Sequence, residues 1–172
     1  MSKINLLVGF VIVSVLGFVF HFAFDFFNNP WLKIVFAQNE SIFEHLKLFI
    51  FPTIIYMLFD LAFSKDKDAI FASYTSGIIV SSIFMISGFY TYSGIIGKDI
   101  LAVDIGLFFL CVILIFYYRY KKITLFDGAN SVIAFFVFIA IIELFTFYPA
   151  NINLFKDPTL KAGLEYLVNL FR

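Results

Sequence analysis

The sequence predicts an all-α membrane fold, a polytopic bundle of about five transmembrane helices with a C-terminal amphipathic helix. Of its 172 residues, 62% are hydrophobic and only 14% are charged, whereas soluble domains are about one quarter charged. The mean hydropathy is +0.99. Apolar runs of about 20 residues recur, which is the length that a helix needs to cross a hydrocarbon core of ~30 Å. They show no dyad alternation, so they indicate helices rather than barrel strands.

Five apolar segments define the predicted spans. The first is expected to be retained, because its apolar run is longer than the roughly 7–15 residues of a cleaved signal peptide. The chain is short for two membrane domains, so residues 1–172 are expected to form one domain. The predicted spans cover residues 4–27, 41–63, 69–92, 100–118 and 129–148, and the amphipathic helix covers residues 159–172.

The third predicted span carries small residues on one helical face. Such residues let helix backbones approach closely, and none of the serines lies in a Gly-x-Ser-x-Gly motif, so the pattern favours helix packing over nucleophilic catalysis. The face consists of Ser73, Gly77, Ser81 and Gly88.

The basic residues predict an orientation. With five spans, the N-terminus shares one side of the membrane with the second and fourth loops, whereas the opposite short loops contain only Lys33 and Lys98. The positive-inside rule therefore predicts a cell-membrane protein with a cytoplasmic N-terminus and an external C-terminus. The basic residues on the predicted cytoplasmic side are Lys3, Lys65, Lys67, Arg119, Lys121 and Lys122.

Charge balance and cysteine content limit the partners. Twelve basic and twelve acidic residues balance without a basic tract, so membrane lipids rather than nucleic acid are the expected partners. Cys111 is the only cysteine, which excludes an intrachain disulfide and a Cys-based metal cluster. Its apolar neighbours predict a packing residue.

Ionisable residues of four spans are predicted to share one depth near the external face. At 1.5 Å per residue, His21 lies about 25 Å across a ~30 Å core. Asp60 and the loop 65–68 fall on the opposite side, where solvent accounts for them. Ionisable groups inside a membrane are costly and therefore suggest function. The predicted outer group consists of His21, Asp25, Glu44, His45, Asp104 and Glu143.

These residue types suit a divalent metal such as zinc, which takes three or four nitrogen, oxygen or sulfur ligands. All six are candidate ligands, and all except Asp104 are also candidate catalytic groups. His21 and Asp25 are four residues apart and stack on one helical face. The chain has no His-Glu-x-x-His motif, so the metal hypothesis depends on tertiary proximity.

The segment 38–47 also has a structural interpretation. Ser41-x-x-Glu44 before an apolar run is a capping box, which stabilises a helix start by about 1 kcal/mol. Asn39 and Glu40 can add to the same cap. Capping does not explain His45.

The sequence resembles an uncharacterised family of small bacterial integral membrane proteins, a domain of unknown function. The resemblance rests on His21, the segment 39–47 (Asn-Glu-Ser-Ile-Phe-Glu-His-Leu-Lys) with Pro52, Tyr148-Pro149, and the segment 154–157 (Leu-Phe-Lys-Asp). Phe43 and Ala150 depart from the family pattern. The resemblance implies a polytopic bacterial membrane protein and no particular activity.

The leading functional hypothesis is a membrane-embedded, metal-dependent hydrolase or transferase that acts on lipid or lipid-linked substrates. His21 and His45 would bind metal or act as acid and base, Glu44 and Asp25 would assist them, and the remaining carboxylates would complete the shell. One alternative is a small proton- or ion-coupled transporter with Asp104 and Glu143 as proton sites. Another is a non-catalytic scaffold or immunity-type protein.

Overall fold

The structure is a computed structural model that describes residues 3–27 and 29–157, without the side chains of Lys3 and Asp25. The predicted amphipathic helix, residues 159–172, lies outside the described residues. The described residues form α-helices and two short 3-10 helices, Pro30–Ile34 and Asn153–Phe155, with no strand, so the predicted fold class is confirmed. The α-helices are α1 (Lys3–Phe27), α2 (Ile42–Phe63), α3 (Lys67–Ile96), α4 (Leu101–Lys121) and α5 (Gly128–Phe147).

All five helices are long and apolar enough to cross a membrane. α3 is longer than the predicted span 69–92, because it continues to Ile96. It ends where Gly97 takes a left-handed conformation with φ +81° and its N–H bonds to the carbonyl of Ser93.

α3 is the central helix, and α5 is peripheral. α3 packs against α2, α4 and α5, and 61% of its apolar segment is buried, compared with 17% for α5. The outer surface of α5 exposes Ile133, Phe136 and Val137. Exposed apolar surface of this extent on several helices is expected for contact with lipid.

The predicted small-residue face of α3 packs against α4. A Cβ atom on Gly77 would lie 3.0 Å from Cα of Ile115, so the two backbones are in close approach. Ser81 Oγ donates to the carbonyl of Cys111 at 3.0 Å, and Cys111 is buried. The structure confirms helix packing as the role of this face.

The helices alternate in direction and give the bundle two polar ends. At one end, which we call the arginine end, Arg119 Nε of α4 donates to Asp60 Oδ2 of α2 at 2.8 Å. Tyr74 of α3 donates to the same oxygen at 3.2 Å, and Ser64 donates to Asp60 Oδ1 at 3.1 Å. The expectation that solvent accounts for Asp60 is wrong, because this carboxylate links α2 to α3 and to the buried Arg119 of α4.

The other end, which we call the histidine end, brings together the C-terminal parts of α1 and α3 with the N-terminal parts of α2 and α4. His21 of α1 lies beside His45 of α2, with ring centroids 5.4 Å apart. Tyr92 of α3 donates to Asp104 of α4. The candidate site lies at this end.

Candidate functional site

The connection between α1 and α2 folds back over the histidine end. Asn29 caps the 3-10 helix by accepting from the backbone N–H of Trp31 at 3.1 Å. Further along, Phe36 packs edge-on against Phe20 of α1, with ring centroids 4.7 Å apart. Ser41 then caps α2 by accepting from the N–H of Glu44 at 3.3 Å, as the sequence predicts. The other half of the predicted capping box is wrong, because the N–H of Ser41 donates to Asn39 Oδ1 and not to Glu44. This connection places Glu40 between the two histidines.

His21, Glu40 and His45 form a compact group with one ligand atom from each residue. Glu40 Oε1 lies 3.8 Å from His21 Nε2, and Glu40 Oε2 lies 3.5 Å from His45 Nε2. The three candidate ligand atoms lie within 4.8 Å of one another. The two imidazoles are about one quarter exposed and the carboxylate is 45% exposed. This group could hold a metal ion.

The backbone orients the imidazole of His45. Its Nδ1 lies 2.8 Å from the carbonyl oxygen of Ser41, which can only accept a hydrogen bond. Nδ1 therefore carries the proton, and in the neutral ring the lone pair is on Nε2, the atom that faces Glu40. A metal-binding histidine is typically held in this way, because its second nitrogen donates to a carbonyl or carboxylate.

A cleft of about 1350 Å³ opens beside this group. Its walls are mainly apolar and come from the first four helices, with Phe18, Phe89 and Phe108 among the lining residues. The polar lining residues include the three members of the group. Ligand sites are commonly apolar clefts with a few convergent polar groups, so this cleft has the form of a binding site.

Asp104 lines the same cleft and is held by Tyr92. The Tyr92 hydroxyl donates to Asp104 Oδ1 and accepts from the backbone N–H of Ile100 at 3.2 Å. Asp104 and His45 interact electrostatically. Asp104 therefore lines the cleft near the histidine–glutamate group, and the hydrogen bond from Tyr92 fixes the orientation of its carboxylate.

Glu44 lies in a separate, buried cluster. Its carboxylate accepts from Lys47 Nζ at 2.8 and 3.0 Å and from the backbone N–H of Gln38 at 3.0 Å. Lys47 Nζ also donates to the carbonyl of Lys33 at 2.7 Å. Both charged side chains are buried, so the structure places Glu44 in an ion pair that secures the connection rather than among the candidate ligands.

Glu143 is likewise not brought into the group. Both carboxylate oxygens of Glu143 are buried, and neither has a hydrogen-bond partner in the part of the chain that the structure describes. Its electrostatic neighbours are Lys47 and Glu44. Asp25 belongs to α1, but its side chain lies outside the described residues.

Glu40 is the site residue that the sequence interpretation missed. Its position beside Ser41 suggested a role in the helix cap, but Asn39 fills that place, since its Oδ1 accepts from the N–H of Ser41 at 2.9 Å. One signal was available, because Glu40 lies only five residues before His45. Its approach to His21 depends on the fold of the connection, which the sequence pattern does not specify.

Five apolar helices, with a histidine–glutamate group beside a cleft at one end, define the class, a multi-pass membrane protein with a candidate metal-binding site. The chain belongs to a family described as "Family of unknown function (DUF6512)", whose model matches residues 1–163. No curated protein is detectably similar to it. No solved structure is detectably similar either.

Proposed function

We propose that the protein is a membrane-embedded, divalent-metal-dependent hydrolase or transferase whose substrates are lipids or lipid-linked groups. The observation that carries the proposal is the convergence of His21, Glu40 and His45 at the mouth of an apolar cleft. The orientation predicted from the basic residues places this mouth on the external side of the membrane.

The contact between His45 and Glu40 calls for a cation or a proton. With Nδ1 donating to the carbonyl of Ser41, a neutral His45 presents the lone pair of Nε2 to a carboxylate oxygen 3.5 Å away. Two acceptors at this distance repel each other unless a positive charge lies between them. A divalent metal satisfies both atoms and His21 at once, whereas a proton satisfies only one pair.

The donor set suits zinc. Two imidazoles and one carboxylate are a ligand set of catalytic zinc sites, which leave the fourth position for water or substrate. A metal in such a site acidifies a bound water and polarises a carbonyl or phosphoryl oxygen. The partial exposure of Glu40 and both histidines leaves space for that fourth ligand.

Other residues would support the chemistry from the chain itself. We assign Asp104 as the general base and acid, which takes a proton from the attacking water or hydroxyl and returns it to the leaving group. The Tyr92 hydroxyl donates to this carboxylate, and the N–H of Ile100 in turn holds the Tyr92 hydroxyl. The Glu44–Lys47 pair would keep Glu40 in place, because it fastens the connection to α2.

The experiment measures metal content and zinc affinity of the purified full-length protein, by elemental analysis and by calorimetry. We expect about one zinc ion per chain, bound less tightly at acidic pH because protons compete for the imidazoles. Glu40→Gln and His45→Ala should abolish this binding. Glu143→Gln is the matched control, since Glu143 is a carboxylate at the same end, and it should bind zinc normally. Wild-type protein that neither contains nor binds a divalent metal would refute the proposal.

A further inference from the structure

We infer that the cleft accepts a lipid whose acyl chain lies between α1 and α4 and whose head group is zwitterionic or cationic rather than anionic. The inference rests on the proposed function, because it names the substrate class of the same site. Three features of the cleft support the inference, namely its lateral walls, its length and its charge.

The lateral walls are exposed on the apolar surface of the bundle. Phe18 and Phe22 of α1 are 69% and 53% exposed, and Leu101 and Ile105 of α4 are 74% and 49% exposed, although all four line the cleft. A cleft with walls of this kind opens sideways toward lipid. An acyl chain can therefore enter from the membrane without passing through water.

The length of the cleft matches part of one leaflet. Along α1 the lining runs from Ser14 to Phe22 and along α4 from Leu101 to Phe109, which is eight residues or about 12 Å in each helix. One leaflet contributes about 15 Å of a ~30 Å hydrocarbon core. A chain aligned with these helices therefore has its ester or amide linkage at the depth of the histidines, where a hydrolytic group is needed.

The charge of the lining disfavours anionic head groups. Among the described residues that line the cleft, four are carboxylates, Glu40, Asp99, Asp104 and Asp157, and one is a cation, Lys156. A bound divalent metal leaves an excess of negative charge, which repels an anionic head group and attracts an amine. The ring of Tyr90, also in the lining, offers a face for a quaternary ammonium group.

The test measures binding of two fluorescent single-chain lipids that differ only in the head group, an acyl glycerophosphocholine and the matching acyl glycerophosphoglycerol. The protein is the full chain carrying His45→Ala and freed of metal, so that binding is separated from turnover. We expect the choline lipid to bind at least about tenfold more tightly.

A matched pair of variants locates the bound chain. Ile105→Trp fills the cleft from α4, whereas Ile113→Trp changes a residue of the same helix that is 51% exposed but outside the lining. Losing burial of only two methylenes costs about tenfold in affinity, so Ile105→Trp should weaken binding by at least that factor and Ile113→Trp should not change it.

Equal or tighter binding of the glycerol lipid would overturn the inference, and so would equal effects of the two tryptophan variants. If Ile105→Trp fails to fold, the comparison of the two lipids still tests the inference. Failure of the proposed function gives a different result, in which the choline lipid binds as expected but wild-type protein takes up no metal.

Discussion

Two charged clusters at the start of α2 have opposite properties. Glu44 and Lys47 are buried; the Glu44 carboxylate accepts from Lys47 and from the N–H of Gln38, and Lys47 also donates to the carbonyl of Lys33. His45 and Glu40 lie next to them but are partly exposed, and both line the cleft, with His45 Nε2 3.5 Å from a carboxylate oxygen of Glu40. The Glu44–Lys47 pair, whose hydrogen bonds are complete, stabilises the fold. The acceptor atoms of His45 and Glu40 are open to the cleft and can bind a cation. The following substitutions test that distinction.

The largest effect is expected for Lys47→Met. It removes the partner of a buried carboxylate, and breaking a buried ion pair in this way costs about 3–5 kcal/mol of folding free energy. The thermal unfolding temperature in detergent should fall by many degrees. A double variant, Glu44→Leu with Lys47→Met, should recover much of the loss, because no charge is left buried. A single variant as stable as wild type would show that the pair does not stabilise the fold.

A smaller loss is expected for Arg119→Met at the arginine end. Asp60 would lose its charged partner, but its side chain is 16% exposed and keeps the hydroxyls of Tyr74 and Ser64. Water and these donors reduce the cost to about 2–3 kcal/mol. Asp60→Asn in the Arg119→Met background should restore part of it. If Arg119→Met lowers stability more than Lys47→Met does, then burial does not determine which of the two ion pairs costs more to break.

His45→Ala should have little effect on stability of the metal-free protein, less than about 1 kcal/mol. Its imidazole is partly exposed and lies 3.5 Å from the Glu40 carboxylate, too far for a strong hydrogen bond. The informative measurement is the increase in unfolding temperature on adding zinc, which wild type should show and the variant should lack. A large destabilisation without metal would indicate that the group holds helices together.

The smallest effect is expected at the exposed pair of Asp66 and Lys122, whose charged atoms are 2.6 Å apart. The hydrogen bond from Lys122 lowers the pKa of the Asp66 carboxyl below its ordinary value. The pair therefore contributes stability above the ordinary pKa of aspartate, and this contribution is lost as pH falls through the lowered value. Because both side chains are exposed to solvent, this contribution is small, and Asp66→Asn should lower the unfolding temperature at pH 7 only slightly. A clear decrease would mean that exposed pairs matter in this fold.

The fold was largely predictable, because apolar length and small-residue spacing are properties of single helices. Five spans and the packing face containing Gly77 follow directly from them. The co-location of His21 and His45 was also predictable, because rise per residue gives the depth of a residue in a membrane helix.

The side to which a residue points was harder to predict. Glu44 and His45 have almost the same depth, but successive residues of a helix are rotated by about 100°, so one faces Lys47 and the other the cleft. Glu40 lies in a connection whose path depends on tertiary contacts such as Phe36 on Phe20. Which residues can bind one metal ion depends on how each helix is rotated about its axis and on the path of each loop. The hydropathy of a single sequence determines neither.

Anomalous X-ray diffraction from crystals of the zinc-loaded protein would locate the metal directly. We expect one zinc ion about 2.0–2.2 Å from Nε2 of His21, Nε2 of His45 and a carboxylate oxygen of Glu40. A zinc ion bound through Glu44 or Glu143, or no ordered zinc at the histidine end, would contradict this expectation.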